Sequence, residues 1–285
     1  MSRNKDRMGM APTRPETSGP PPQIANGIEG FSFVVPTEFV DLPSRGKFYS
    51  ESHPLHGQDS VEIKQMTAKE EDILVNRSYL RNGSAIERVL QSVIVDKRIN
   101  ASTLLVGDRN AILIAMRITG YGNDYETKVS CPSCGTSQKY EFDLFETNLE
   151  HGEAAEELGV TDNGDGTFDC LLPKSGVTAT FKLLTGADEK QLLQKIGGGK
   201  KMKAASSIIT SQLGSMITAV NGDSSKKAIE YVICNMPSMD SRHLRLMYRL
   251  TAPNVDLTQD FACDNCDHEQ EVEVPLGADF FWPDR

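Results

Sequence analysis

The stretch that decides the fold is Cys131-Pro132-Ser133-Cys134-Gly135, because it recurs later in the chain as Cys263-Asp264-Asn265-Cys266-Asp267. Strand-forming residues lie on both sides of each pair, at 125–129, 139–143, 261 and 271–274. A tight turn between two strands presents both thiolates on one side, which is a zinc knuckle on a β-hairpin. One knuckle supplies two ligands, and tetrahedral Zn²⁺ takes four, so two knuckles make a Cys₄ site.

The two cysteine pairs belong to a longer internal repeat. Placing Cys131 on Cys263 aligns residues 108–144 with 240–276 without a gap, and nine of the 37 positions are identical. Upstream, with a slightly smaller offset, 60–67 aligns with 178–185, and the turn at 42–46 resembles the one at 172–176. We therefore predict an α+β fold that is internally duplicated: a strand pair, helices and a Cys-x-x-Cys β-hairpin, all repeated with pseudo-two-fold symmetry.

The repeat explains how two distant knuckles could share one metal ion. Cys134 and Cys263 are too far apart in the chain for an ordinary zinc ribbon, but equivalent hairpins of two halves packed around a dyad can meet. The candidate ligands are Cys131, Cys134, Cys263 and Cys266. A closed Cys₄ site leaves no position for water, so the zinc would be a structural clasp.

Other roles for the cysteines stay open at this point. Each pair could be a disulfide or a redox motif, or could bind its own zinc with an outside ligand such as His268. Cys170 and Cys234 have no partner at metal-ligand spacing, and we expect both to be buried free thiols.

Composition divides the chain into three parts. Residues 1–30 are rich in proline and poor in apolar periodicity, which predicts a disordered N-terminal arm. Residues 31–150 form the first repeat, and residues 151–285 form the second repeat with an aromatic tail at 280–282 that we expect to fold back on the core or to anchor a partner.

The local pattern predicts strands at 31–36 and 60–64, followed by helices. Thr67 and Glu70 form a capping box for a helix that should run to about residue 75. Residues 86–94 have helical apolar spacing, and Asp108 is predicted to cap a further helix.

Charge and motifs exclude several classes of function. The net charge of −10 disfavours nucleic-acid and membrane binding, no apolar run is long enough to span a membrane, and residues 1–19 lack the apolar region of a secretory signal. Residues 197–200 lack the spacing of a phosphate-binding loop and are expected to be mobile, and residues 162–169 lack calcium ligands and should be a turn joining the halves. The five histidines form no catalytic pattern, so we do not expect an enzyme.

The order of the motifs resembles a known family. A Leu-Pro-Ser-x-Gly turn at 42–46, a Thr-x-x-Glu-Glu segment at 67–71, a helical stretch near 108–117 and then Cys-x-x-Cys are similar to T4-type phage baseplate hub and baseplate assembly proteins. The resemblance covers residues 31–144 and, more weakly, 172–276. It implies a non-catalytic role in building the hub of a contractile-tail baseplate, with other baseplate or hub proteins as partners and several copies in a larger assembly. The chain would then be found in the virion tail baseplate, or in the host cytoplasm during assembly.

Two other functions compete with a baseplate role. A nucleic-acid-binding zinc protein of a phage, acting in regulation or replication, should carry basic knuckles, whereas Asp264, Asp267 and Glu269 make the second knuckle acidic. A metal-dependent hydrolase or deaminase would need histidine ligands that leave a water on zinc, and no such motif is present.

Overall fold

We describe the fold from a computed structural model, which places residues 23–28, 31–153, 156–197, 208–274 and 280–281. Within them the chain is a mixed α+β protein with small antiparallel sheets, as the sequence predicts in its broad class. Most of the predicted arm, residues 1–22, and most of the loop predicted at 197–200 lie outside the described residues. The end of the predicted arm differs from expectation, because Gln23–Ile28 forms a strand that pairs with the next one.

The strands of the described residues form five antiparallel sheets. The first sheet has the order β1-β2-β3 and the largest has the order β10-β9-β8-β7, while β6 pairs with β11 and the two cysteine hairpins are β4–β5 and β12–β13. Their bounds are β1 Gln23–Ile28, β2 Phe31–Asp41, β3 Ser60–Lys64, β4 Asp124–Ser130, β5 Ser137–Asp143, β6 Asn148–Glu150, β7 Val160–Asp162, β8 Thr167–Leu171, β9 Thr178–Lys182, β10 Ile217–Val220, β11 Asn254–Asp256, β12 Thr258–Ala262 and β13 Glu269–Glu273.

The helices lie between the strand pairs and the cysteine hairpins. The first group is α1 Ala68–Val75, α2 Arg77–Arg81, α3 Ala85–Val93 and α4 Val106–Tyr121. The second group is α5 Gly186–Gly197, α6 Ile208–Met216, α7 Lys226–Asn235 and α8 Ser238–Thr251. Short 3₁₀ turns occur at Ala101–Thr103 and Glu156–Leu158. Helix α4 is not long and apolar enough to cross a membrane, and neither is any other helix among the described residues.

A buried carboxylate ties the strand pair to the first helix. The capping box at α1 is present as predicted, and Glu70, fully buried, accepts hydrogen bonds from Lys64 Nζ at 2.7 Å and from Thr67 N and Oγ1 at 3.0 and 2.6 Å. The same arrangement occurs again at the start of the second helical group. There Asp188 accepts from Lys182 Nζ at 2.7 Å and from Thr185 N and Oγ1 at 3.0 and 2.8 Å.

A second buried carboxylate fastens the Leu-Pro turn to the last helix of each group. Asp108 accepts hydrogen bonds from Ser44 N at 2.9 Å, Ser44 Oγ at 2.6 Å and Tyr49 Oη at 2.7 Å. In the second half, Asp240 accepts from the backbone N–H groups of Lys174 and Ser175 at 2.8 and 2.9 Å.

The prediction that Asp108 caps its helix is wrong. Helix α4 begins at Val106, after Leu105, so Asp108 lies inside the first turn. Because its oxygens are occupied by a turn 64 residues away in the chain, its role is tertiary. The sequence alone does not distinguish a carboxylate that caps a helix from one in the first turn that accepts hydrogen bonds from a distant loop.

The segment that follows each cysteine hairpin contacts the part of the chain around the other hairpin. Strand β6, which follows the first hairpin, pairs with β11, which precedes the second. Reciprocally, Phe280, which follows the second hairpin, packs edge-to-face against Tyr125 of the first, with ring centroids 5.2 Å apart. The fully buried Arg117 donates to Phe280 O at 2.8 Å, Gly122 O at 2.6 Å and Asp124 O at 3.0 Å.

One apolar core runs through both halves. It includes Val61 and Ile63 from the first sheet, Phe168 and Phe181 from the largest sheet, and Phe281 near the C-terminal end. Phe280 and Phe281 are both buried, which confirms the expectation that the aromatic tail folds back, while Trp282 lies outside the described residues.

The hairpin around residues 162–169 serves the largest sheet. Residues 163–166 form the turn between β7 and β8, and Asp162 and Asp165 accept hydrogen bonds from backbone N–H groups of the same turn. The predicted turn is therefore present, but the expectation that it joins the two halves is wrong, because it connects two paired strands of one sheet within residues 151–285.

Glu70 gives a test of the fold through its pH dependence. Burial alone would raise the pKa of Glu70 from its ordinary 4.5, but hydrogen bonds from Lys64, Ser92 and Thr67 outweigh burial and lower that pKa to about 2. A depressed pKa means that the carboxylate's contribution to stability is complete at neutral pH and is lost as pH falls from 4.5 towards 2. We expect Glu70→Gln to lower the free energy of unfolding by about 2–3 kcal/mol at pH 7.

Urea unfolding at pH 7, 5, 4 and 3 measures this effect, and the difference between wild type and Glu70→Gln should shrink on acidification. Asp72→Asn is the control, because it removes an exposed carboxylate from the same helix. An equal loss in both variants, or a difference that grows as pH falls, would contradict the assigned role of Glu70.

Candidate metal centre

The four predicted cysteines lie on two hairpins with the same turn geometry. In the first, Cys131 N donates to Thr136 O and Gly135 N donates to Cys131 O, each at 2.9 Å. In the second, the corresponding bonds run from Cys263 N to His268 O and from Asp267 N to Cys263 O, each at 3.0 Å. The residue after the second cysteine has a positive φ in both turns, 72° at Gly135 and 51° at Asp267. Such a turn directs both thiols of a pair to the same side.

The structure brings all four sulfur atoms together. Cys131 Sγ lies 3.7 Å from Cys266 Sγ, and Cys134 Sγ lies 3.7 Å from Cys263 Sγ. All four atoms lie within 4.8 Å of one another. Four sulfurs bonded tetrahedrally to zinc at about 2.3 Å would lie about 3.8 Å apart, whereas a disulfide needs about 2.05 Å. The cluster therefore has the dimensions of a Cys₄ metal site, and all four cysteines are free thiols.

The first cysteine of each pair is buried and the second is exposed. Cys131 and Cys263 are 1% and 2% accessible and form a small apolar cluster with Phe261. Val129, Tyr140 and Val272 pack against that cluster. This apolar floor excludes water from one side of the four sulfurs.

Polar side chains join the two hairpins beside the sulfurs. Gln138 donates through Nε2 to Ala262 O at 3.0 Å and accepts from Asp264 N at 3.0 Å. Tyr140 donates through its hydroxyl to Asp260 O at 2.9 Å, and Gln259 donates to Asp143 O at 2.6 Å. Reasoning from the sequence missed these bridging residues, although Gln138 is one of the nine identical positions of the repeat.

The electrostatics of the cluster favour a bound cation. Hydrogen bonds with the side chain and then the backbone of Thr136 lower the pKa of Cys134 to about 5. At Cys266 the backbone hydrogen bond with His268 lowers the pKa, but desolvation and the three neighbouring thiols outweigh it and raise that pKa to about 12. Four thiolates at this distance repel one another unless a cation lies between them.

The remaining candidate residues lie apart from the cluster. Among the described residues, the potential metal-binding group consists of the four cysteines. His268 is not part of it, and its Nε2 lies 3.4 Å from Gln270 Oε1. Cys170 is buried, and burial raises its pKa to about 11. Cys234 is exposed, so the expectation that it is buried is wrong, because the helix α7 directs it away from the core.

The histidines hold loops together. His53 Nε2 lies 2.9 Å from Thr103 Oγ1, and the His53 ring stacks on Tyr49. His56 Nδ1 lies 2.7 Å from Tyr49 O, and His151 Nδ1 lies 3.0 Å from Pro43 O. None of these three is hydrogen-bonded to a serine, cysteine or carboxylate in the part of the chain that the structure describes, so they form no catalytic triad there.

A cleft of about 1110 Å³ lies between α3, α4 and α5. Its walls are largely apolar, and four of its charged residues form two ion pairs, Arg109 with Glu189 and Lys190 with Glu87 at 2.6 Å. Its apolar lining includes Leu80, Leu113, Leu193 and Phe281.

Comparison with known proteins identifies the family. The family model described as "T4 bacteriophage base plate protein" matches residues 35–282, which include both hairpins and all four clustered cysteines. Neither the curated proteins nor the solved structures gave a significant match. Because the family match spans most of the 285 residues, the chain belongs to the T4 bacteriophage base plate protein family.

Proposed function

We propose that the chain is a non-catalytic structural or assembly component of the hub region of a phage contractile-tail baseplate, and that it acts through protein–protein contacts. The observation that carries this proposal is the family match over residues 35–282. Its partners are other baseplate or hub proteins. It is located in the virion's tail baseplate, or in the host cytoplasm while the baseplate is assembled.

We further propose that the chain is a duplicated unit with approximate two-fold symmetry, residues 31–150 and 151–285. Three correspondences support this. The ladder between β2 and β3 pairs Thr37 with Lys64, as the ladder between β8 and β9 pairs Thr167 with Lys182. Helices α4 and α8, and likewise strands β5 and β13, begin at positions related by the same offset as Cys131 and Cys263. The buried carboxylates at 70 and 108 have counterparts at 188 and 240 that accept equivalent hydrogen bonds.

The cysteine cluster is proposed to hold one structural zinc ion. Cys131, Cys134, Cys263 and Cys266 would supply four thiolates, which complete a tetrahedron and leave no position for a substrate or water. The ion would fix the tips of the two hairpins to each other. A nucleic-acid-binding role is disfavoured, because Asp264, Asp267 and Glu269 are exposed around the second knuckle and would repel phosphates.

Metal analysis tests the shared site. We expect about one zinc per chain, and we expect Cys263→Ser to lose the metal and to loosen both hairpins, because each hairpin supplies half of the ligands. Hydrogen exchange should become faster in residues 124–143 as well as in 258–273, while the β8–β9 core stays protected.

Cys234→Ser is the matched control, since Cys234 is an exposed cysteine outside the cluster. It should retain the zinc and the protection of both hairpins. Two zinc ions per chain, or no zinc together with intact disulfides, would contradict the shared clasp, as would exchange that changes only in the second hairpin.

Mass spectrometry of purified virions tests the proposed function. A structural component should be present in stoichiometric amounts with other baseplate proteins, whereas an assembly factor should be found in infected-cell lysate, in complexes with hub proteins, and not in virions. A chain that is absent from virions and forms no complex with baseplate proteins in lysate would contradict both roles.

A further inference from the structure

Helix α8 presents a face that no described residue covers, and apolar and cationic side chains alternate along it. Met239, Leu246 and Leu250 are 66%, 48% and 47% exposed, and Arg242 and Arg249 are exposed between them. At 100° per residue these five positions fall within a stripe about 100° wide, which extends about 17 Å along the helix. The opposite face is buried through Asp240, Leu244, Met247 and Thr251.

The equivalent face of α4 is covered by the chain itself. In the alignment that places Cys131 on Cys263, Arg249 corresponds to Arg117, which is fully buried and donates to Phe280 O. Leu246 corresponds to Ile114, which is 5% exposed. Met239 corresponds to Gly107, where an added Cβ would collide with Pro253 O, so β11 approaches the helix there. The first copy of the helix thus uses most of this face for an intramolecular contact, whereas no described residue covers the same face of the second copy.

The charges of the stripe indicate what would cover it. Arg242 and Arg249 have no hydrogen-bond or ion-pair partner among the residues that the structure places, although the protein carries a net charge of −10. Two guanidinium groups flanked by leucines and a methionine are complementary to carboxylates flanked by apolar side chains. Contact with the same stripe of a second copy would place arginines opposite arginines, which is unfavourable in a two-fold interface.

We propose that this face of α8 is the docking site for an acidic amphipathic segment of another baseplate protein. The partner's membership of the baseplate rests on the proposed function. Its apolar residues would pack on Met239, Leu246 and Leu250, and its carboxylates would pair with Arg242 and Arg249. A nucleic-acid strand fits less well, because its phosphates would lie against exposed leucines in an acidic protein.

Photo-crosslinking in the full chain tests the proposal. Leu246 is replaced by the photoreactive residue p-benzoylphenylalanine, the chain is expressed during infection by the phage that encodes it, and the crosslinked peptide is sequenced by mass spectrometry. The expected crosslink is to a peptide of another baseplate protein that contains both carboxylates and apolar residues. Adding Arg242→Glu and Arg249→Glu should lower its yield at least about tenfold, because like charges then face each other.

Lys226→Glu with Lys227→Glu is the control pair, since it makes the same charge change at exposed positions of the neighbouring helix α7 and should leave the yield unchanged. All four substitutions are on the surface and should leave circular dichroism and thermal unfolding unaltered.

No crosslink, a crosslink to a second copy of this chain or to nucleic acid, or equal loss in both double variants would overturn the proposal. If the chain is still found with baseplate proteins, only this inference fails; if it is found with none of them, the proposed function fails as well.

Discussion

Four sulfur atoms from two hairpins that are distant in the sequence lie within 4.8 Å of one another, and this proximity constrains the arrangement of the rest of the chain. Two tight turns can meet in this way only if their hairpins face each other, which requires the elements before and after each hairpin to be arranged reciprocally. The exchange of β6 and Phe280 between the halves is that reciprocal arrangement. Arg117, which is fully buried, fixes one side of it by donating hydrogen bonds to the backbone carbonyls of Phe280, Gly122 and Asp124.

The apolar core and the cysteine cluster stabilise different parts of the molecule. The core is continuous through both halves, so the halves stay together through ordinary burial of apolar surface. The hairpin tips share a small apolar cluster around Phe261 and a few hydrogen bonds through Gln138, Tyr140 and Gln259, which bury much less apolar surface than the main core. The proposed metal ion would order these tips, and it would leave most of the protein's surface available for contacts with neighbours in an assembly.

Sequence reasoning succeeded where the determining interactions are local or strongly restricted in residue type. The capping box of Thr67 and Glu70 is confined to one helical turn, and the clustering of the four cysteines could be predicted because cysteine pairs with this spacing have few uses in a chain with so few cysteines. It failed for Asp108, whose partners are 59 and 64 residues away. The burial of Arg117 was not predicted at all, because an arginine in a helical pattern is normally exposed. The difference between buried Arg117 and exposed Arg249 depends on which segment crosses each helix, and no local pattern encodes that.

X-ray absorption at the zinc edge, on protein purified without added metal, tests the central claim most directly, because it reports the atoms bonded to the ion. If the two hairpins share one clasp, the spectrum will fit a single shell of four sulfur atoms at about 2.3 Å, with no nitrogen or oxygen neighbour. A shell of two sulfurs with nitrogen or oxygen ligands would mean that each hairpin binds its own ion, and would contradict the account.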